Sequence, residues 1–397
     1  MTLQEDPKDI VVVGAARTPQ GRMLGALAKK SSVDLGAETI KAVLECSGVA
    51  AGDVDYVLMG QVVQAGSGQN PAKQSAVAAG IPMNVPAMTV NKVCLSGLDA
   101  VINASRLIRL GDASIVVAGG QESMTNAPHI AAGVRAGKGY GSLALQDSLE
   151  RDGLSDPNEG TAMGLETDEG NAERGITREE QDEIAARSHQ LAEAATNEGV
   201  FAEEIVPIEV KGRKETVTVT ADEGIRPGTT AEGLAKLRPA FVKDGTITAA
   251  SASQISDGAA AVVLTTRENA ETKGLEILAT LGEYGQTAGP DTKLHSQPSQ
   301  ATAAALQKAG WEAGDLDFLE INEAFASVVA QSIKDLDYPL DKTNIHGGGI
   351  SLGHPIGASG ARLVVHAAHE LKRRGSGKAA VSLCGGGGQG DALLLWR

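Results

Sequence analysis

The sequence predicts a layered α/β fold in which one unit is duplicated and an inserted segment interrupts the first copy. Short apolar runs of strand character, IVVV from Ile10, IVVA from Ile115 and AAVSL from Ala379, alternate with amphipathic helical patterns at both ends of the chain. That alternation marks α/β units whose parallel strands are covered by helices. A weak internal repeat accompanies it. Ser96-Gly97, a helix, Gly111, the strand from Ile115 and Gly119-Gly120 are mirrored by Ser359-Gly360, a helix, Gly375, the strand from Ala379 and Gly385-Gly386. Duplication of one layered unit sets the two glycine-flanked turns face to face. Between the copies, residues 121–238 are polar and charged with few buried strands, the character of an insertion or lid. The chain therefore divides into residues 1–120, the first part of an N-terminal core half, and residues 121–238, the insertion. Residues 239–275 complete the N-terminal half, and residues 276–397 form the C-terminal half.

Taken in order, the first amphipathic run spans residues 35–44 and ends near Gly48, which makes Cys46 a half-buried structural thiol. The apolar run of residues 85–93 leads into Cys94, and Ser96-Gly97 opens a helical pattern, so Cys94 falls at a strand-to-helix turn. There the free N–H groups and the positive helix end are expected to lower the thiol pKa from about 8.5. In the insertion, Thr177 and Glu180 form a capping-box signal. Ile184, Ala185, Ser188, Leu191, Ala192 and Ala195 then keep one small apolar face until Gly199. Near the C-terminus, His354 follows a run of glycines and precedes Pro355, which restricts its backbone to extended or turn conformations. Cys384 closes the strand from Ala379; in isolation it reads as a small apolar residue ending that strand.

Composition narrows the function. The 397 residues, 42% hydrophobic, suffice for more than one domain-sized core, and a mean hydropathy of -0.09 suits a soluble protein. No segment reaches the roughly 18 uninterrupted apolar residues of a membrane span. The acidic start MTLQEDPKDI lacks secretory or transit character, so a cytoplasmic location is expected. A net charge of -15 argues against nucleic acid or an anionic membrane as partner. Three cysteines make no disulfide framework, and two of them lie in glycine-rich turns, where reactivity explains them better. Lys211, Arg213, Lys214, Arg226, Lys236 and Arg238 form the densest basic stretch, either a phosphate contact or a solvated face.

Three motifs carry the chemistry: NKVCLSGLDAV from Asn91, IHGGGISLGHPIGASGARLV from Ile345 and CGGGGQGD from Cys384. They supply a nucleophilic thiol, a histidine base and a second thiol, each beside glycines that let the backbone approach a substrate. With NEAFA from Asn322, they resemble the thiolase family, in this order and along nearly the whole chain. That resemblance implies a duplicated α/β/α/β/α layered fold with an inserted loop domain that covers coenzyme A. It implies that Cys94 is the acylated nucleophile, His354 its activator and Cys384 the acid/base for the second substrate. Asn322 would hold a water in an oxyanion hole, and the backbone N–H groups of Cys94 and Gly386 would hold a second oxyanion. Ser253 resembles the residue touching the pantetheine arm, Arg226 the adenine-stacking arginine, and Met163 and Phe325 the pocket walls.

The implied activity is a reversible Claisen condensation of two acetyl-CoA to acetoacetyl-CoA and CoA. CoA thioesters are its substrates, with no separate cofactor and no metal, and the assembly is a homotetramer built as a dimer of dimers. Ala162 departs from the pattern, because short-chain members often carry a histidine there. It keeps open a degradative 3-ketoacyl-CoA thiolase. A ketoacyl synthase would usually place a histidine where Cys384 stands, and a non-catalytic acyl-binding subunit would not need all four motif residues.

Other motifs fall away. The GxGxxG spacing of Gly385, Gly387 and Gly390 has no room for a ribose-binding acid about 20 residues on. GISLG from Gly349 fits a hydrolase elbow, but no histidine follows Asp391. His366 and His369 lack the glutamate of a helical zinc motif and read as helix-surface or interface residues.

Overall fold

A computed structural model describes residues 5–397. The N-terminal half contains β1 (Ile10–Arg17), α1 (Ser32–Ser47), β2 (Tyr56–Gly60), β3 (Ala87–Val90), α2 (Ser96–Leu110) and β4 (Ile115–Ser123). After the insertion helices α3 (Met163–Arg174) and α4 (Arg178–Asn197), β5 (Ser256–Thr266) completes it. The C-terminal half contains β6 (Ala279–Ala288), α5 (Gln297–Ala309), β7 (Phe318–Ile321), α6 (Ala326–Leu336), α7 (Ser359–Arg374), β8 (Lys378–Gly385) and β9 (Gln389–Trp396).

The strands lie in the order β7-β8-β9-β6-β1-β5-β4-β2-β3. The halves meet where β1 pairs with β6 over only two residue pairs, Val11 with Thr280 and Val12 with Ala279. Reading outward from that seam, β1-β5-β4-β2 on one side corresponds to β6-β9-β8-β7 on the other. The expected repeat is thus a repeat of strand order, with α2 leading into β4 as α7 leads into β8.

The strands are not all parallel, as the alternation predicts. Only β7/β8, β2/β3 and β2/β4 run parallel; the other pairings are antiparallel. The reason is partly local: β8 and β9 are separated by three glycines, Gly386 to Gly388, which allow a hairpin but no crossover helix.

Side-chain alternation along the strands divides the core into layers. Ile40, Val43 and Leu44 of α1 pack on Val11, Val13, Val57, Val117 and Val263. On the opposite side of the same strands, Val12, Val116, Ala118 and Val262 meet Leu98 and Val101 of α2 and Leu363 and Val364 of α7. Val381, Leu383, Leu393 and Leu395 join that central layer, whereas their neighbours Ala380, Ala392 and Leu394 face α5 and α6 through Ala301, Ala305, Val329 and Ala330. Helix, sheet, helix pair, sheet and helix follow one another through the molecule. Each fully buried Leu, Ile or Val contributes roughly 1.5–3 kcal/mol.

Capping fixes the helices where the sequence indicates. The Ser31 hydroxyl accepts the Asp34 N–H, the Asp34 carboxylate accepts the Ser31 N–H, and Gly48 ends α1 at φ 72°. Thr177 accepts the Glu180 N–H at 3.1 Å and starts α4, whose predicted face is buried at Ile184, Ala185, Ser188, Ala192 and Ala195. Two expectations need correction. Cys46 is exposed, because it lies on the outer side of the last turn of α1. His366 and His369 are buried, since the polar side of α7 faces other charged groups: His366 Nδ1 meets Glu204 at 3.0 Å, and His369 Nε2 lies 3.0 Å from the Ala15 carbonyl.

The central helices touch at their first turns. A Cβ on Gly360 would lie 2.5 Å from the Leu98 nitrogen, and one on Gly97 would lie 2.9 Å from the Ala361 nitrogen. Gly360→Ala is therefore expected to destabilise the protein by about 1–3 kcal/mol or more, because backbone cannot yield as a side chain can. A lower urea midpoint would show it, and an unchanged midpoint would contradict the crossing.

Candidate active site

Cys94 sits between β3 and α2, the predicted strand-to-helix position. The turn is tight: Val93 takes φ 51°, a region unfavourable for a β-branched residue. The Ser96 hydroxyl braces it by donating to the Val93 carbonyl at 2.6 Å and accepting the Lys92 N–H at 2.8 Å. The sulfur is buried with Val62, Val63, Met124, Leu149 and Ile356.

The expected fall in thiol pKa does not occur. Burial pushes the Cys94 thiol up to about 12, against the N–H groups of Gly386 and of Cys94 itself, which favour thiolate. The helix end is present but the surroundings are apolar, and desolvation is the larger effect. At neutral pH the free protein holds a thiol.

His354 is 4% exposed, and its N–H faces the Ser256 hydroxyl at 3.1 Å. Burial, and then the nearby Arg362 cation, bring its pKa down to about 3, so the imidazole is neutral. Its tautomer follows from Ser359. That hydroxyl donates to the Pro355 carbonyl at 3.0 Å, and its oxygen lies 2.6 Å from His354 Nδ1. With its one proton used, Ser359 accepts the Nδ1 proton, which leaves the Nε2 lone pair free to act as a base. Asn322 Nδ2 is 3.3 Å from Nε2. No hydrogen bond joins His354 to Cys94 among the described residues.

Cys384 ends β8 in a pocket of Leu294, Ala324 and Val328, with Met163 and Phe325 packed against it. Burial and the nearby Cys94 raise its thiol above the ordinary range. Gly386 lies between the two reactive turns, where an added Cβ would be 3.2 Å from both Met163 Sδ and Val93 Cγ1. Asn322 is fully buried, its N–H donates to the Ser382 carbonyl at 2.9 Å, and its Oδ1 has no partner among the described residues. Ser253 is half-buried and donates its N–H to the Ala324 carbonyl, beside the Ala252–Phe325 bridge. Arg226 stands apart on an exposed loop of the insertion, its N–H donating to His189 Nδ1 at 3.1 Å. A cleft of about 850 Å³ has Asn91, Val93, Met163 and Gly386 in its wall.

Three positions escaped the sequence reading. Ser359 was visible only as a helix start, although it lies inside the histidine motif. Glu122 had no local signal; its buried carboxyl, pushed up to about 8 by burial, accepts the N–H groups of Val62, Val63 and Gly357 and ties the two halves together. Glu323 accepts from Ser188 at 2.6 Å, Asn344 at 3.0 Å and Ile350 at 3.1 Å, fastening α4 to the glycine loop before His354.

A duplicated five-layer fold with two buried thiols and a neutral histidine at the junction of its halves defines a thiol-dependent acyl-transfer enzyme. The models of the thiolase N-terminal and C-terminal domains match residues 10–268 and 275–397, and the chain belongs to the thiolase family. It is 53% identical over 388 residues to a probable acetyl-CoA acetyltransferase of Mycolicibacterium smegmatis, covering 98% of this chain and 100% of the relative. It is 48% identical to the acetyl-CoA acetyltransferase of Chromobacterium violaceum, with 98% and 100% covered. Its fold is similar to the crystal structure of the Bacillus anthracis acetyl-CoA acetyltransferase, with TM-score 0.95, 40% identity and 98% of both chains covered. It is similar also to human mitochondrial 3-ketoacyl-CoA thiolase, with TM-score 0.95, 39% identity and 98% and 99% covered.

Two outcomes follow from this geometry. Ser359→Ala frees the tautomer of His354 and is expected to lower kcat by about tenfold with little change in KM, the loss of roughly one hydrogen bond to a reacting group; equal kcat would remove Ser359 from the site. With its thiol pKa near 12, Cys94 should be alkylated by iodoacetamide ever faster from about pH 6 to pH 9, because thiolate is the reactive form. A plateau near the ordinary thiol pKa would contradict the burial effect.

Proposed function

We propose that the protein joins two acetyl-CoA to acetoacetyl-CoA and CoA, reversibly, by a ping-pong route through acetyl-Cys94. The observation that carries this is that two buried thiols come close enough to act on each other, with Cys94 facing the Gly386 amide, in a site that also holds a neutral histidine whose Nε2 can take a proton. In the first half, His354 Nε2 takes the Cys94 proton as the sulfur attacks the thioester carbonyl. The Cys94 and Gly386 N–H groups hold the oxyanion, and the departing CoA thiolate takes a proton from Cys384. Cys94 is now acetylated, His354 is imidazolium and Cys384 is thiolate.

In the second half, that thiolate removes a proton from the methyl of a second acetyl-CoA. Its raised pKa makes it a strong base for a weakly acidic carbon. The enolate oxygen is held by the His354 Nε2 proton and by a water accepted at Asn322 Oδ1. The carbanion attacks the acetyl group, the tetrahedral oxyanion collapses, and Cys94 leaves as thiolate and regains its proton from His354. Protons and charge return to their starting places.

The substrate contacts belong to the same reading. Met163 and Phe325 wall the acyl pocket, Ser253 lies along the pantetheine arm, and Arg226 faces the adenine from the insertion. Ala162 is exposed at the head of α3, next to Met163 of the cleft wall. A homotetramer is supported by an arm around the pairing of His129–Ile130 with Gln146–Asp147, which exposes Tyr140, Leu143 and Leu145. A cytoplasmic place in lipid metabolism suits thiols that must stay reduced.

The test is CoA-dependent thiolysis of acetoacetyl-CoA beside a longer 3-ketoacyl-CoA. Preference for the four-carbon substrate, abolished by Cys94→Ala, is expected. Cys384→Ala should still take an acetyl group onto Cys94 while losing condensation by about a hundredfold or more, the scale of an acid–base group. Equal cleavage of both substrates would instead indicate the degradative 3-ketoacyl-CoA activity.

A further inference from the structure

The segment bearing Cys94 is held against the end of β8 residue by residue. Leu95 fits over Gly385, where an added Cβ would lie 2.6 Å from Leu95 Cγ, and Val93 fits over Gly386 at 3.2 Å. The Gly386 N–H faces the Cys94 sulfur and favours its thiolate. One step further along, Lys92 Nζ reaches Asp391 of β9, 2.7 Å from Oδ1 and 2.9 Å from Oδ2. Asp391 is fully buried and pairs across the sheet with Leu383, while its neighbour Gly390 pairs with Cys384. The carboxylate that holds Lys92 is therefore fixed to the strand pair that positions the second thiol.

The ion pair is itself built in. Gln286, opposite Asp391 on β6, donates to Asp391 Oδ1 at 3.2 Å and to Asp99 Oδ1 at 2.8 Å. Asp99 lies 3.6 Å from Lys92 Nζ, and Arg106 donates to Gln286 Oε1 at 2.8 Å. Lys92 is the only one of these groups that leads directly into the nucleophile turn, and the residue between it and Cys94 is the strained Val93.

A β-branched side chain resists φ 51°, and a turn free to relax would swing Val93 to negative φ and carry the Cys94 sulfur off Gly386. The Ser96 hydroxyl braces the turn from within its own helix but does not tie it to the other half. Among the described residues, only the Lys92 contact does so through charge.

We propose that Lys92 and Asp391 are positioning residues: their ion pair latches the strained Val93–Cys94 turn onto the strands that carry Cys384, and so aligns the two thiols. The latch rests on the thiolase reading of Cys94 and Cys384 and adds two residues that touch neither substrate nor the reacting atoms.

Asp391→Asn keeps the shape and removes the charge. It is expected to lower kcat per folded active site for thiolysis and condensation by about tenfold or more while KM stays within about twofold, with active sites counted by the acetyl-Cys94 formed per chain so that a loss of folded enzyme is not read as a lower kcat. Lys92→Met should behave alike, and the double variant should be no worse than either, because the two act through one contact. Lys92→Arg should recover at least about half the wild-type rate. Adding Val93→Gly to Asp391→Asn should recover about threefold or more in kcat, since glycine holds positive φ without strain. The latch is overturned if Asp391→Asn keeps kcat within about twofold of wild type, if the single losses add in the double variant, or if glycine at position 93 recovers nothing. Mass spectrometry of wild type after acetyl-CoA separates the two levels. If no acetyl-Cys94 forms, the thiolase reading falls and the latch with it; if it forms and Asp391→Asn turns over normally, only the latch falls.

Discussion

The close crossing of α2 and α7 is the constraint on which the site depends. Each helix begins with Ser-Gly, and at Gly97 and Gly360 the backbone of one meets the backbone of the other with no space for a side chain. Because each helix follows a reactive turn, the crossing brings Cys94 and His354 to one junction. The strands that leave these helices, β4 and β8, return Glu122 and Cys384 to the same level. Two copies of one unit have thus acquired different chemistry at equivalent places. The nucleophile comes from the first copy, and the base and second thiol from the other.

Burial sets the electrical state of this junction. It raises both thiols and lowers His354, so all three are uncharged at rest. A thiolate–imidazolium pair, which a helix N-terminus alone would favour, is disfavoured in so apolar a place. The neutral arrangement suits a two-step exchange, since each proton lost by sulfur has a defined acceptor and water is excluded from the acyl-enzyme. The same reasoning explains why the tautomer of His354 matters. A neutral imidazole is a base at one nitrogen only, and Ser359 determines which.

Much of this was legible in the sequence, and the failures share a cause. The family resemblance of four short motifs singled out Cys94, His354, Cys384 and Asn322, and the Ser-Gly repeat indicated a duplicated unit with its two reactive turns face to face, because both readings depend on residues close together in the chain. The direction of the strands, the burial of His366 and His369 and the exposure of Cys46 depend on what packs on a segment from elsewhere. The pKa of Cys94 failed in the same way. The local rule concerning the helix end held, but Val62, Met124 and Ile356, each distant in sequence, outweighed it. Glu122 and Asp391 gave no signal for the same reason, as their partners lie 59 to 299 residues away.

Behind His354 the protein places a cation. Arg362, one turn beyond Ser359 on α7, is 1% exposed and none of its guanidinium nitrogens has a hydrogen-bond partner among the described residues. Of the carboxyls that act on it, Glu320 and Glu323 are buried and pushed toward their neutral forms, whereas Glu204, beside Arg17 and His366, stays ionised and offsets part of its charge. A guanidinium stays protonated at any working pH, so its field in this low-dielectric setting falls on His354. It penalises an imidazolium and favours negative charge. The imidazolium that His354 becomes in the acyl-enzyme is therefore a strong acid, which returns its proton to the Cys94 thiolate as that sulfur departs. The cation thus favours the neutral imidazole of the resting site and drives the borrowed proton back to sulfur when the product forms.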